Sequence, residues 1–357
     1  MQTDFLILGG GIAGLSAAAH LAPLGTVTLL EAEADLAYHA SARSAALYEP
    51  RYGNPVVVAL SLASQGFYEG SGLLTPRGLM VVDDADHEAR FRDHLDHFQL
   101  EALTIPEAQA LWPILNPATV AFAGYADRAK DIDTDALLAR YTREARAAGA
   151  TIRTRSRATR ITRLPTGWEV EAGGLVFTAK ILINAAGAWV DQVAALAGVK
   201  TLGFTPLRRS MARIPAPEGM EVRRWPMVIG GGEDWYMKPD AGALIVSPAD
   251  EDPTEPQDAW ADDMVLAEGL ARYEEAVTAP VTRLLANWAG LRTFAPDRAP
   301  VIGFDTAAPG FFWLAGQGGY GFQLAPAAAE LVADLIAGRA PALDRVLLSA
   351  LAPSRFD

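Results

Sequence analysis

The sequence predicts a mixed α/β fold of two domains, and three observations lead to that prediction. The chain has 357 residues, which is too many for a single small hydrophobic core. Half of the residues are hydrophobic and a fifth are charged, as in ordinary globular proteins. Three strand–glycine–helix units are spread along the chain, with two β-rich segments between them. We therefore expect a discontinuous Rossmann-like domain that carries a second, β-rich domain.

The expected domain boundaries follow from where the composition changes. Residues 1–75, 130–203 and 288–357 contain the strand–glycine–helix units and are predicted to form the first domain. Residues 76–129 and 204–287 are richer in proline, tryptophan and aspartate and are predicted to form the second domain. Strand-like patches in these segments lie at 78–82 and 235–247.

The first unit occupies the N-terminus. Residues 4–8 form a continuous apolar run, which is typical of a strand buried on both faces. A glycine-rich turn follows, and the small residues 15–21 then favour a closely packed helix that Gly25 ends. A second buried strand is predicted over 27–30. Together they form a β-turn-α-β unit.

The glycines of this unit indicate a nucleotide site. Gly9, Gly11 and Gly14 have G-x-G-x-x-G spacing, which lets the backbone approach a pyrophosphate at a helix N-terminus. Glu31 ends the second strand, where a carboxylate accepts hydrogen bonds from ribose hydroxyls. The unit therefore predicts an adenine dinucleotide, which could be NAD or FAD.

The other predicted elements include a second glycine-rich turn. Further strands are expected at 151–163, 167–171, 180–184 and 311–315, and helices at 134–148 and 324–336. Gly316, Gly318, Gly319 and Gly321 join the last strand to the last helix. An NAD-only domain has no need of this turn, whereas a flavin ring does, because a helix dipole stabilises charge on the reduced ring. The turn favours FAD.

Composition excludes several classes of protein. Acidic residues outnumber basic ones 43 to 30, so no general attraction to nucleic acid is expected. The absence of cysteine excludes disulfides, thiol nucleophiles and iron–sulfur clusters. The five histidines do not suggest a metal site. An acidic N-terminus argues against a secretory signal, and no apolar run suggests a membrane span, so a cytoplasmic location is expected.

An ordered set of motifs resembles the FAD-dependent D-amino-acid oxidase superfamily, and within it the D-arginine dehydrogenase type of D-amino-acid dehydrogenase. The resemblance implies a glutathione-reductase or D-amino-acid-oxidase type of fold. Besides the glycine turns, the motifs are Tyr38-His39, Arg43-Ser44-Ala45-Ala46, Tyr52-Gly53, Asp131-Ile132-Asp133, Asn184-Ala185-Ala186-Gly187-Ala188-Trp189, Arg208-Arg209-Ser210, Tyr236-Met237-Lys238 and Trp288-Ala289-Gly290-Leu291-Arg292.

The resemblance implies oxidative deamination of a D-amino acid with non-covalent FAD. The α-hydrogen passes as hydride to flavin N5, and the imino acid then hydrolyses to a 2-keto acid and ammonia. The electron acceptor stays open between oxygen and a quinone-linked carrier, with a dehydrogenase favoured. One alternative is an oxidase of glycine, sarcosine or another secondary amino acid, and a less favoured one is a flavin-binding redox partner without amine turnover.

The same resemblance assigns the site residues. Arg292 and Tyr236 match the pair that holds the substrate carboxylate, and Tyr52 matches a tyrosine that closes over the substrate. Arg209 matches a further cation, and Gly319 and Gln323 lie near the substrate amine. The expected cofactor contacts are Gly9, Gly11, Ile12, Ala13, Gly14, Glu31, Ala32, Arg43, Ser44, Ala45, Ala186, Gly187, Trp189, Gly316, Gly318, Gly319, Tyr320, Gly321, Phe322 and Gln323.

Two departures from the arginine-type relatives bear on the substrate. Leu47 replaces a histidine, and Leu79 replaces the glutamate that pairs with a substrate guanidinium. Without that carboxylate, burial of a cationic side chain is costly. Glu49 and Arg51 are additional charges beside Tyr52 that could restore polarity. The expectation is a neutral, apolar substrate side chain.

Overall fold

The computed structural model describes residues 1–357. Its strands form three sheets, of eight, nine and three strands. The strands are β1 (Gln2–Leu8), β2 (Val27–Leu30), β3 (Leu47–Tyr48), β4 (Leu74–Pro76), β5 (Leu79–Asp83), β6 (Glu101–Leu103), β7 (Phe122–Ala126), β8 (Lys130–Ile132), β9 (Thr151–Arg153), β10 (Ala158–Leu164), β11 (Gly167–Ala172), β12 (Leu175–Asn184), β13 (Thr205–Pro215), β14 (Met227–Gly230), β15 (Tyr236–Asp240), β16 (Ala243–Ser247), β17 (Asp252–Pro253), β18 (Ala286–Phe294), β19 (Val301–Phe304) and β20 (Phe311–Ala315).

Ten α-helices connect or cover these strands. They are α1 (Ile12–Leu21), α2 (Pro55–Ala63), α3 (Gln65–Glu69), α4 (Glu88–Phe98), α5 (Ile105–Leu111), α6 (Thr134–Ala147), α7 (Val190–Leu196), α8 (Asp263–Glu275), α9 (Gly321–Ala337) and α10 (Arg345–Leu351). No helix has both the length and the apolar character that crossing a membrane requires.

The eight-stranded sheet has the parallel centre of a Rossmann-like domain. β12 pairs in parallel with β1 on one side and with β20 on the other, and β2 continues the sheet beyond β1. Because β1 and β20 run in the same direction, their carboxyl ends share one edge. The N-termini of α1 and α9 follow at that edge, so the two glycine-rich turns lie together.

This sheet is covered by apolar side chains on both faces. Along β1, Phe5 and Ile7 pack with α1, α6 and α9 on one face, and Leu6 and Leu8 pack with Trp168 and Trp313 on the other. The alternation explains why the sequence of β1 is apolar throughout. The prediction of a strand buried on both faces is confirmed.

The nine-stranded sheet is built from both β-rich segments. β5 of the first segment pairs in parallel with β14 of the second, and β7 and β6 extend the sheet beyond β5. β13 pairs with β16 and, over residues 205–213, with the whole of β18. The prediction of a mixed α/β fold with a second, β-rich domain is confirmed.

Some predicted boundaries differ from the structure. The single strand expected over 151–163 is two strands, β9 and β10, because the chain turns at Arg155, whose φ is 51°. The predicted domain boundary at residue 288 falls inside β18, whose residues pair with β13 of the nine-stranded sheet. Pairing with a distant strand leaves no local signal, so the sequence placed this boundary too early. The last helix starts at Gly321 rather than 324.

Candidate active site

The turn between β1 and α1 is packed so closely that two of its glycines have no room for a side chain. Gly9 has a φ of 112°, and a Cβ there would collide with the backbone of Ala185. A Cβ at Gly14 would collide with the carbonyl of Gly9. At Gly11, φ is −79° and the nearest atom to a Cβ would be Ser41 Oγ, at 3.1 Å. Packing therefore requires Gly9 and Gly14, whereas Gly11 keeps space open in front of α1.

Glu31 holds the same turn from the end of β2. Its carboxylate accepts hydrogen bonds from the backbone N–H groups of Gly10, at 2.6 Å, and Glu33, at 2.8 Å. Each carboxylate oxygen retains a further lone pair. Glu31 can therefore accept ribose hydroxyls while it fixes the glycine turn.

A cavity of about 410 Å³ adjoins Glu31, and we refer to it as the nucleotide cavity. The predicted cofactor residues that line it are Gly9, Gly11, Glu31, Ala32, Arg43, Ala186, Gly187 and Trp189. The imidazole of His39 also lines it and lies 4.5 Å from the Trp189 ring, centroid to centroid. Its walls combine apolar surface with an acid, as the adenosine half of a dinucleotide requires.

A second cavity, which we call the flavin cavity, lies at the N-terminus of α9. The predicted residues that line it are Gly11, Ile12, Ala13, Arg43, Ser44, Ala45, Gly187, Gly316, Gly318, Gly319, Gly321 and Phe322. No side chain caps α9 at Tyr320, so its first N–H groups are open. Gly11 and Gly187 line both cavities, so the two lie next to each other.

Unsatisfied polar atoms in the flavin cavity fit a flavin ring. Gln317 Nε2 and Thr293 Oγ1 are buried without a hydrogen-bond partner in the protein. Buried polar atoms are normally paired, so both atoms call for a polar ligand. The carbonyl and ring-nitrogen edge of a flavin is such a ligand, and the α9 dipole stabilises negative charge on it. The residues present therefore fit FAD.

Arg43 has a different setting from the one the resemblance implies. Its guanidinium donates to the carbonyls of Ala259, at 2.7 Å, and Ala289, at 2.9 Å. It also donates to Asp258 Oδ1, at 2.5 Å. Arg43 lines both cavities, but these bonds fasten the segment after β2 to the second domain. Direct binding of the cofactor by Arg43 remains a prediction.

Three other predicted cofactor residues lie away from the flavin and nucleotide cavities. Gly14 lines neither of them, because it packs against the glycine turn. Tyr320 and Gln323 line the neighbouring third cavity instead. These side chains face the expected substrate rather than the cofactor.

The third cavity, which we call the substrate cavity, has a volume of about 570 Å³. It contains the predicted residues Leu47, Glu49, Tyr52, Leu79, Arg209, Tyr236, Arg292, Gly319 and Gln323. Its border with the flavin cavity is formed by Ser44, Ala45, Arg209, Arg292, Gly319 and Phe322, which line both. A substrate that reacts with a flavin must place its reacting carbon at this border.

Arg292 is the free cation of this border. Its guanidinium has no hydrogen-bonded carboxylate, unlike that of Arg209. A Cβ at Gly319 would lie 2.8 Å from Arg292 Cζ, so the glycine makes room for the guanidinium. Burial favours a lower pKa for Arg292, but the phenols of Tyr236 and Tyr52 outweigh this and hold the pKa above its usual range. Arg292 is therefore charged and open to an anion.

Arg209 is already paired within the protein, and its role as a further cation near the substrate carboxylate stays a prediction. Its Nε donates to the carbonyl of Asp250 at 2.8 Å, and its second nitrogen donates to Glu251 Oε1 at 3.1 Å. Arg298 donates to both oxygens of the same glutamate, at 3.0 and 2.9 Å. Burial and the nearby charge of Arg292 lower the pKa of Arg209. Arg209 and Arg298 thus share Glu251, and Arg292 is left without an acid to bind an anion.

Tyrosines surround the free guanidinium. The Tyr236 hydroxyl donates to Met211 Sδ at 3.3 Å, a weak acceptor that a carboxylate oxygen can replace. Tyr52 lies with its ring 5.3 Å from that of Tyr320 and 6.2 Å from that of Phe98. Burial raises the pKa of Tyr320 to about 12, so this phenol stays protonated near neutrality.

The far part of the substrate cavity is largely apolar but contains one buried acid. Leu79 is fully enclosed in β5, and Leu47 lies in β3 next to it. Glu49 is 1% exposed, and its Oε2 has no hydrogen-bond partner. Gln323 accepts from the backbone N–H of Glu49 at 3.4 Å and donates to the carbonyl of Tyr52 at 3.4 Å. Gln323 therefore fixes the loop that carries both residues.

Sequence reasoning missed several residues of these cavities. Gln317 and Thr293 in the flavin cavity, and Glu251 and Arg298 in the substrate cavity, were not predicted. Gln317 lies inside a recognised glycine-rich turn and Thr293 directly follows Arg292, so both had a local signal. Glu251 and Arg298 meet only through tertiary packing.

One group of possible metal ligands lies outside the three cavities. Asp83, Asp84 and His87 bring their ligand atoms within 4.8 Å of one another. The Asp83 carboxylate is already bound by Arg90, at 2.6 and 2.9 Å. The group therefore has an internal explanation that needs no ion.

The family model for FAD dependent oxidoreductases matches residues 4–335 of the chain. The chain therefore belongs to this family of FAD-dependent oxidoreductases, and FAD is its cofactor. The fold agrees: the crystal structure of glycine oxidase from Geobacillus kaustophilus superposes with a TM-score of 0.83, covering 98% of each chain at 24% identity.

Curated relatives match along most of the chain. Glycine oxidase from Pseudomonas aeruginosa is 28% identical over 96% of this chain and 97% of its own length. The tRNA 5-methylaminomethyl-2-thiouridine biosynthesis bifunctional protein MnmC from Thiobacillus denitrificans is 26% identical over 98% of this chain. The chain spans 59% of that protein's length.

The resemblance to D-amino-acid dehydrogenases extends over a shorter stretch. D-amino acid dehydrogenase 2 from Ralstonia nicotianae is 47% identical over 58 residues, which is 16% of this chain. The superfamily expected from the motifs is therefore confirmed, whereas D-amino acid dehydrogenases match only a short part of the chain and the D-arginine dehydrogenase type stays a prediction.

Proposed function

We propose that the chain oxidises the bond between the α-carbon and the nitrogen of an amino acid, with glycine or an N-substituted glycine as the best-supported substrate. The observation that carries the proposal is Arg292, a charged guanidinium without a carboxylate partner at the border of the flavin and substrate cavities. A guanidinium binds a carboxylate through two parallel hydrogen bonds. A substrate carboxylate held there brings the adjacent α-carbon to the flavin cavity.

The names of related proteins support an amine substrate. Two glycine oxidases of Pseudomonas species align with nearly the whole chain. Iminodiacetate oxidase from Chelativorans and L-proline dehydrogenase from P. horikoshii share the fold, with TM-scores of 0.81 and 0.83. Glycine is the smallest amino acid, and iminodiacetate and proline are secondary amines. This set favours glycine-type and secondary amines over the D-amino acids first expected.

In the proposed reaction, FAD supplies a two-electron acceptor for hydride from the α-carbon. Arg292 and Tyr236 hold the carboxylate, and Gly319 leaves the space for that contact. Tyr52 packs against Tyr320 and closes the cavity over the substrate. The imine product is then hydrolysed by water.

Proton removal from the amine needs no dedicated base in this site. The phenol of Tyr320 has a pKa raised by burial to about 12 and does not accept a proton near neutrality. The amine therefore loses its proton to solvent before it transfers hydride. As a result, kcat/KM is expected to rise with pH until the free substrate amine is fully deprotonated.

A second candidate is a D-amino acid with a neutral side chain. The observation that favours it is the size of the substrate cavity, about 570 Å³, which is far more than glycine fills. Leu47, Leu79, Met227 and Ile229 line its far part and suit an aliphatic side chain. A flavin-binding partner without turnover is less well supported, because it gives no reason for the unpaired Arg292.

Anaerobic bleaching of the bound flavin by a substrate panel tests the proposal. The panel contains glycine, sarcosine, iminodiacetate, L-proline, D-leucine and L-leucine, and stopped-flow absorbance gives the rate of flavin reduction for each. We expect reduction by glycine or an N-substituted glycine, and none by L-leucine. Readmission of oxygen then separates an oxidase from a dehydrogenase. A flavin that no amino acid reduces would contradict the proposal.

A further inference from the structure

We propose that Glu49 is a specificity-determining residue that binds a cationic or N–H-bearing group at the remote end of the substrate. The inference rests on the proposed function, because it takes Arg292 as the group that holds the substrate carboxylate. The inference adds a second residue that binds the substrate, at the end opposite to the carboxylate. The substrate class it identifies is an amino acid whose side chain or N-substituent ends in an ammonium, guanidinium or amide.

The first support is the incomplete hydrogen bonding of the Glu49 carboxylate. Oε1 accepts from Arg128 Nε at 3.0 Å and from the backbone N–H of Arg51 at 3.1 Å. Oε2 is buried and has no partner in the protein. A buried acceptor without a donor is destabilising, and native proteins retain few of them. A ligand donor would satisfy this oxygen.

The second support is the position of Glu49 along the cavity. Ser44 and Ala45 line both the flavin and the substrate cavities, whereas Glu49 lines only the substrate cavity. Along the chain, β3 separates Glu49 from these flavin contacts. Glu49 is therefore set apart from the reacting carbon. Its partner is a remote group of the substrate rather than the reacting amine.

The third support is an apolar wall of the substrate cavity. Leu47, Leu79, Met227 and Ile229 pack together there and contribute no polar side-chain group. Methylene groups fit such a wall, while the charged end of a long side chain needs a partner beyond it. Glu49 is that partner. The substrate expected from this arrangement has an apolar stem and a donor at its end.

The charge of Glu49 agrees with this assignment. Burial raises the pKa of Glu49, and the neighbouring guanidinium of Arg128 opposes that effect. A cationic ligand group would favour the ionised carboxylate in the same way as Arg128 does.

Matched pairs of substrates test the inference on the flavin-loaded enzyme. D-ornithine is compared with D-norleucine, and N-(aminoethyl)glycine with N-propylglycine, because each pair differs only in a terminal ammonium against a methyl group. The first pair tests a side chain and the second an N-substituent. We expect kcat/KM to favour the ammonium member of at least one pair by about tenfold or more, as one buried charge-assisted hydrogen bond supplies. Equal values within both pairs would overturn the inference.

Variants connect this preference with Glu49. Glu49→Gln keeps the size of the side chain and removes its charge, so it should reduce the preference by about tenfold while the methyl-ended substrates keep their rates. Glu233→Gln is the matched control, because Glu233 is an exposed acid on the same cavity without a hydrogen bond. It should leave the preference unchanged. The same loss in both variants would contradict a specific role for Glu49.

Binding of unreactive ligands separates this inference from the proposed function. A series of ω-aminoalkanoates has no α-amine to oxidise, and the flavin absorbance of the holoenzyme reports their binding. We expect the best of them to bind about tenfold more tightly than its methyl-ended isostere in the natural enzyme and equally in Glu49→Gln. This result without any amino-acid turnover would uphold Glu49 and reject the proposed function. Turnover of glycine or sarcosine without any ammonium preference would uphold the proposed function and reject the role of Glu49.

Discussion

Arg292 shows how a single residue acquires its role from its neighbours. Arg209 lies near it and has the same charge, but Glu251 and the carbonyl of Asp250 already bind Arg209. Arg292 has phenols around it and no acid, so the protein leaves its charge for a ligand. The difference between these two arginines is what defines the carboxylate end of the cavity.

Replacement of Arg292 tests this assignment. Arg292→Met should reduce kcat/KM for the best amino-acid substrate by about thirtyfold to several thousandfold, because a desolvated bidentate pair is worth roughly 2–5 kcal/mol. Steady-state kinetics of the flavin-loaded variant gives the value, and an unchanged flavin spectrum shows that the cofactor remains bound. Tyr236→Phe removes one hydrogen bond and should cost about tenfold. Small and equal losses in both variants would mean that the carboxylate binds elsewhere.

The glycine turn between β1 and α1 shows that residues of one motif can have different roles, as the two arginines do. Gly9 and Gly14 allow β1 and α1 to approach each other, whereas Gly11 faces the cavities. The three glycines of one motif thus serve two different purposes. One is close packing of the backbone, and the other is space for the cofactor.

Two substitutions distinguish these purposes. Gly11→Val should give a folded protein without flavin, because the side chain occupies the space in front of α1 and meets only Ser41 in the protein. Gly14→Ala should instead yield little folded protein, because its Cβ would collide with the carbonyl of Gly9. Circular dichroism and flavin absorbance of the purified variants measure the two effects. A fully flavinated Gly11→Val enzyme would refute the nucleotide site.

The link between β1 and β2 predicts a pH-dependent contribution to stability. Asp4 binds Lys180 at 2.8 Å and accepts from the backbone N–H and the hydroxyl of Thr26 at 2.9 and 2.8 Å. The Lys180 ammonium, together with Thr26, lowers the pKa of Asp4 from 3.8 to about 2. Because the folded-state pKa is the lower one, the stabilisation is complete above pH 3.8 and is lost as the pH falls towards 2.

Asp4→Asn tests this link. At neutral pH the variant should lose about 1 kcal/mol of unfolding free energy, a value that allows for solvent screening of a partly exposed pair. The loss should shrink as the pH falls below the ordinary range of aspartate. Urea unfolding at several pH values measures both. Asp35→Asn is the control, because Asp35 is an exposed carboxylate without a hydrogen bond. This variant should keep the unfolding free energy of the natural protein at every pH.

At the scale of the whole molecule, the cofactor site joins the two domains. The flavin cavity is lined by the glycine turns of the eight-stranded sheet and by Gly290 and Arg292 of β18 in the nine-stranded sheet. Bound FAD therefore contacts both halves of the protein. A ligand that binds only the folded state stabilises it in proportion to its binding free energy.

Removal of FAD should lower the melting temperature. Readdition to a free concentration of a hundred times Kd should restore about 2.7 kcal/mol of stability. Differential scanning fluorimetry of the apoprotein against added FAD measures the change, and FMN serves as the control, because it lacks the adenosine that occupies the nucleotide cavity. A melting temperature that does not respond to FAD would contradict the assignment of these cavities.

The sequence by itself determined the parts of this protein that local patterns encode. The apolar run of β1, the spacing of Gly9, Gly11 and Gly14 and the acid Glu31 predict a dinucleotide site, because each depends on backbone geometry within one short unit. The second glycine turn predicts the flavin end for the same reason. The candidate residues Arg292, Tyr236 and Tyr52 came from family resemblance, and they line one cavity in the structure.

Only the tertiary structure decided how the charges of that cavity are shared. The sequence does not indicate that Glu251 pairs with Arg209, that Arg292 lacks an acid, or that Glu49 retains an unpaired oxygen. Each of these facts depends on side chains from separate strands and loops that meet only after the two sheets pack together. The free energy of a buried charge depends on its partners rather than on its place in the chain. Local patterns therefore predicted the cofactor, and long-range packing determined which charges remain for the substrate.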